Sequence, residues 1–66
     1  MEAIDIWRTA HQLMKMYGEE AGLIAARRAD ALLDLGDADG FHVWQRVTAA
    51  INELGREKAG ASEPLN

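Results

Sequence analysis

The stretch Asp34-Leu35-Gly36-Asp37-Ala38-Asp39-Gly40 closes one helical pattern, opens another and holds the densest acidic charge in the chain. An EF-hand calcium loop requires Asp-x-[Asp/Asn]-x-[Asp/Asn]-Gly and a bidentate Glu six residues after the Gly. Setting Gly40 at the loop glycine puts Asp39 and Asp37 on ligand positions, but Leu35 on the first and Arg46 on the last. Two essential carboxylates are missing, one of them replaced by a cation, so the stretch reads as a helix stop followed by a helix start. Gly36 suits the left-handed conformation that ends helices. Asp37 suits the N-cap of the next helix, accepting a bond from a free amide one turn on. Asp39 adds charge favoured at a helix N-terminus.

Upstream of this joint the pattern predicts a helix over about residues 19–35, with Glu19 and Glu20 in its first turn. Ala21, Ile24, Ala25, Leu32 and Leu35 make one apolar stripe; Leu23, Ala26 and Leu33 make a second beside it. Such a wide arc predicts a central helix that touches two neighbours, and Gly22 with the alanines would let another backbone come close. Downstream, Trp44, Val47, Ile51 and Leu54 fall at +3, +4, +3 and predict a helix over about 38–54, extended by Phe41, Val43 and Ala50. Gly55 is expected to end it, leaving residues 56–66 as a disordered tail. A first helix is predicted over about 3–17, where Ile6, Ala10, Leu13 and Tyr17 form the stripe, Trp7 and Met14 widen it, and Gly18 is the stop.

These elements predict an all-α fold, a small three-helix bundle in one domain over residues 1–55. Its core is expected from Trp7, Leu13, Ile24, Leu32, Trp44, Val47 and Ile51. The 66 residues allow a single small domain. The apolar fraction is 48%, but twelve of those residues are alanine, so little large apolar volume is available. Chains this short often need a partner subunit, and dimerisation is the expected way to complete the bundle, most readily through the wide apolar arc of the second helix.

The totals also exclude function classes. There is no cysteine, hence no disulfide framework and no thiolate zinc site. No apolar run approaches a membrane span, and Met1-Glu2-Ala3-Ile4-Asp5 lacks the basic start of a signal peptide, so a cytoplasmic location is expected. The net charge of −4 opposes phosphate-driven binding of nucleic acid, and the whole of that excess lies in residues 18–55. Arg27-Arg28, the one adjacent basic pair in that region, is surrounded by Glu19, Glu20, Asp30 and Asp34.

Catalytic groups are scarce. The lone serine is Ser62 in the expected tail, Thr9 and Thr48 sit within helices, and no phosphate-binding glycine loop is present. His11 and His42 are the only imidazoles; His42 follows Asp39 by three residues, a pair where zinc needs three or four ligands. No cofactor and no enzymatic activity are expected.

One local rule is broken. Asp30 and Asp34 lie four residues apart near a helix C-terminus, where the dipole disfavours both and each repels the other. Arg27 can relieve Asp30 at i+3. Asp34 has no base one turn away, so a tertiary pairing with Arg28 or Arg46, of the same or another subunit, is expected. Violations of this kind mark contacts or functional surfaces.

Arg28-Ala29-Asp30-Ala31-Leu32-Leu33, then Gly36-Asp37, Gly40, Trp44, Val47, Ala50-Ile51 and Leu54, together resemble a group of short bacterial hypothetical proteins, a domain-of-unknown-function group. The pattern is Arg-Ala-Asp-x-Leu, Gly-Asp, Trp and a closing Ala-Ile-x-x-Leu, covering roughly residues 4–54. The resemblance implies a compact helical protein of the bacterial cytoplasm and no particular activity. Asp30, Asp37 and Trp44 are where it directs attention.

The expected function is a non-enzymatic protein-interaction module. Its candidate surface is Arg28, Asp30, Asp34, Asp37 and Asp39, the partner being an unidentified protein or a second copy. The alternative is a small-molecule- or metal-responsive domain using His11, His42 and the Asp34–Asp39 turn.

Overall fold

Two glycines set the chain's course. Gly18 and Gly36 have positive φ, 61° and 80°, a region that side chains with a Cβ rarely enter. Each ends a helix as the spacing predicts. The computed structural model describes the backbone of residues 3–62 and the side chains of residues 3–56. Helix α1 spans Ala3–Tyr17, a 3-10 turn spans Gly18–Glu20, α2 spans Ala21–Asp34 and α3 spans Ala38–Ser62. Among the described residues there is no strand, so the fold is all-α. None of these helices is long and apolar enough to cross a membrane.

Two predicted boundaries differ. The pattern predicts a second helix from residue 19, but Gly18–Glu20 forms a separate 3-10 turn and α2 starts at Ala21. No side chain caps this start; Glu20 occupies the N-cap without a side-chain bond, and the Ala21 amide bonds instead to the Gly18 carbonyl. The tighter turn supplies the hydrogen bonds that a cap would have supplied. The pattern also predicts a stop of the third helix at Gly55, but α3 runs through it to Ser62. Gly55 keeps a negative φ, so it weakens the helix without ending it. The next residues, Arg56-Glu57-Lys58-Ala59, have high helix propensity. The tail expected over 56–66 is therefore helical as far as residue 62, and residues 63–66 lie outside the described residues.

A Cβ placed on Gly55 would meet nothing within 4 Å. Gly55→Ala should therefore stabilise the chain by about 0.5–1 kcal/mol, the ordinary cost of glycine inside a helix. A rise in thermal midpoint with unchanged helicity checks this.

The packing centre is α3 rather than the expected α2: α3 packs along α2 and against α1, which themselves meet less extensively. The pairing of α2 with α3 is antiparallel. A Cβ on Gly22, at the start of α2, would lie 3.8 Å from Ile51, whereas Leu32, near its end, reaches Gly40 at the start of α3. The buried line of α2 is Ala21, Ala25 and Ala29, one residue every fourth position. These small side chains hold the two backbones close, and Ala21 and Ala25 join Ile6, Ala10, Val47, Ala50 and Ile51 in one core cluster.

The core thus differs from the expected set. Val47 and Ile51 are buried, and Val47 is the one large side chain fully so among the described residues. Leu13, Ile24, Leu32 and Trp44 are half-buried. Trp7, expected as an anchor, is 41% exposed. It sits on the edge of the α1 stripe, and α1 turns Ile6 and Ala10 into the interior instead.

Candidate functional site

The joint between α2 and α3 is built in three residues. Leu35 caps α2, and its amide reaches the Ala31 carbonyl at 3.1 Å. The Gly36 amide then bonds to the Leu33 carbonyl at 3.0 Å and the Asp37 amide to the Leu32 carbonyl at 2.9 Å. Those nested bonds are the Schellman arrangement, which uses the left-handed Gly36 to satisfy the last carbonyls of α2. Asp37 also starts α3: its Oδ1 accepts a 2.9 Å bond from the Gly40 amide, and its carbonyl accepts one from Phe41. One residue therefore closes the first helix through its amide and caps the second through its carboxylate. Asp37 and Asp39 both sit where the α3 dipole favours negative charge.

The link leaves an apolar pair in an acidic setting. Leu33 is 52% and Leu35 80% exposed, at the same end of the molecule as Asp34, Asp37 and Asp39. Asp30, Asp34, Asp37 and Asp39 are all exposed. None of them forms an ion pair among the described residues, where the ion pairs are Arg8–Asp5 and Arg56–Glu53, each 3.9 Å and exposed. The expected pairing of Asp34 with Arg28 or Arg46 within the chain is therefore absent among the described residues, and so is the relief of Asp30 by Arg27. The reason is geometric for Arg28. Six residues along a helix amount to about 600°, a net 240°, so Arg28 lies about 120° around α2 from Asp34 and about 9 Å from it along the axis. Its guanidinium lies over Trp44 instead, 5.3 Å from the ring centroid, an attraction of about 0.5–1 kcal/mol at an exposed site. Arg28 thus pins α2 to α3 rather than joining the acids.

Asp30 borders a shallow groove of about 350 Å³ between α2 and α3, which also involves Phe41, Gln45 and Thr48. The Thr48 hydroxyl donates to the Trp44 carbonyl at 2.8 Å within its own helix, so it presents no free donor there. His42 is exposed and packs tilted against Phe41, ring centroids 5.4 Å apart. His11 lies on the outer face of α1 beside Arg8, Gln12 and Lys15, cationic surroundings that disfavour a metal ion. Among the described residues no three His, Asp or Glu side chains are placed to hold a metal.

The carboxylates of this joint stand out in the sequence, whereas Leu33 and Leu35 fall on its apolar stripes, where burial is expected. A signal for Leu35 is present in the sequence, since a residue immediately before the stop glycine is at the helix end, where the stripe's geometry no longer applies. No protein-family model, curated protein or solved structure matches the chain.

Proposed function

We propose that the chain is a small three-helix bundle, completed by a second copy, that serves as a non-enzymatic protein-interaction module. Its α2–α3 joint is the face offered to a protein partner. The observation that carries this reading is Leu35, 80% exposed on a hydrogen-bonded turn whose carboxylates lack cationic partners among the described residues. An apolar centre with a charged rim is the common anatomy of a protein interface, and a helix-capped turn holds it without an ordering cost on binding. The partner that fits is a helix with a leucine ridge flanked by Lys or Arg. Self-association has separate support, because among the described residues seven large apolar side chains stay at least two-fifths exposed around an alanine-lined core.

The test uses amphipathic helical peptides of one leucine ridge, one set flanked by Lys and Arg and one by Glu, followed through backbone amide shifts. The basic set should shift residues 33–40 and the acidic set should not, with the response lost in Leu35→Ser. Shifts that ignore peptide charge, or that fall away from the joint, overturn the reading.

A further inference from the structure

A second surface lies away from the joint, along the outer side of α3. Here α1 and α3 enclose an open groove of about 300 Å³, lined by Ile6, Trp7, Arg46, Ala49, Ala50 and Glu53. Trp7 keeps 41% of its surface exposed there although it is the largest apolar side chain of α1. Ala49 borders both this groove and the one between α2 and α3, so it is the crest of α3 between them.

The charges on this face are self-complementary. Arg46 and Glu53 are seven residues apart, two helical turns or about 10.5 Å along the axis, and so share one side of α3. Midway between them lies Ala49, exposed, with Ala50 beside it buried in the core. A two-fold axis through that midpoint, perpendicular to α3, places Arg46 of each copy opposite Glu53 of the other. Alanine at the centre allows the helix axes to approach to about 8 Å. Arg46 has no ion-pair partner among the described residues, and Glu53 is engaged there only by Arg56, at 3.9 Å with side chains 75% (Arg56) and 49% (Glu53) exposed. Such a contact is weak, and Glu53 is free to turn outward.

We infer that a second copy of this chain occupies the α1–α3 groove, pairing α3 with α3 antiparallel across Ala49. Arg46 of each copy meets Glu53 of the other, and Trp7 of each copy is covered at the contact. The arrangement is isologous, so it closes as a dimer and does not propagate. It rests on the proposed self-association and is independent of the joint, which it leaves open.

The experiment is solution mass by light scattering over a concentration series from micromolar to millimolar. Wild type should dimerise, with a blue shift of tryptophan emission as Trp7 is covered. Arg46→Glu and Glu53→Arg should each weaken association at least about tenfold, because each sets like charges against each other twice, while helicity is kept. Mixing these two single variants should restore the dimer as a heterodimer, and the double variant Arg46→Glu/Glu53→Arg should restore it alone. A wild type that stays monomeric throughout overturns both this pairing and the self-association behind it. Single variants that dimerise as wild type overturn the pairing alone, and a dimer lost in Leu35→Ser instead moves the contact to the joint.

Discussion

Val47→Ala is expected to cost about 2–3 kcal/mol, the burial of its two methyl groups plus the cavity they leave. For a domain of this size, whose total stability is about 3–5 kcal/mol, that loss leaves a substantial unfolded fraction. Val47 is 0% exposed and stands among Ile6, Ala10, Ala21, Ala25, Ala50 and Ile51. Four of these six neighbours are alanines, which have no rotamers to change and cannot swing into a cavity, so the site collapses little and the cost falls at the upper end. Ile51→Val, which removes one methylene at a site 6% exposed, should cost only about 0.5–1.5 kcal/mol. Urea unfolding of the two variants by circular dichroism checks the pair. Equal midpoints would mean that the core is looser than its alanine lining implies. The comparison is best made at fixed protein concentration, because the proposed association with a second copy would add apparent stability by mass action.

The elements are legible in this chain where a local rule decides them. Gly18 and Gly36 end helices because a positive φ is available there at no steric cost, and Asp37 caps α3 because its short carboxylate reaches an amide one turn on. Gly55 shows the limit of the same rule. A glycine is permitted to leave the helix, but whether it does depends on the residues beyond it, and here the chain continues through as helix. Burial is less legible. The periodicity of α1 places Trp7 beside the core-facing stripe, yet the stripe's edge is 41% exposed because α3 passes over Ile6 and Ala10. The central helix is misjudged for a related reason. A wide apolar arc counts every Ala and Leu alike, whereas the buried positions of α2 are all alanines, and Leu23 and Leu33 remain more than half exposed. Contacts between helices are out of reach altogether. Nothing local to Arg28 announces Trp44 as its partner, sixteen residues on, and nothing local to Asp34 announces that no base among the described residues comes to it.

Gly40→Ala should destabilise the joint although Gly40 lies in a helix where alanine is intrinsically preferred by about 1 kcal/mol. Its φ is not positive, so backbone freedom is not the cause. A Cβ there would lie 2.5 Å from Asp37 Oδ2 and 3.1 Å from Leu32 Cδ1. The carboxylate that accepts the Gly40 amide bond occupies the space of the missing side chain. Alanine must therefore displace the Asp37 carboxylate from a cap worth about 0.5–2 kcal/mol and also crowd Leu32, and the two costs together exceed the propensity gain. The two residues are consequently coupled. In an Asp37→Ala background the cap is already lost and the space is free, so Gly40→Ala should become neutral or stabilising, limited by Leu32. Gly36→Ala is the independent control: a Cβ there meets nothing within 4 Å, and its φ of 80° alone costs about 1–2 kcal/mol. That cost should add to Asp37→Ala and be largely recovered by Gly36→Asn, since Asn tolerates the left-handed region. Thermal or urea midpoints of the four Asp37/Gly40 combinations measure the coupling directly. If Gly40→Ala has the same effect with and without Asp37, the carboxylate does not fill that space, and glycine at position 40 has some other cause.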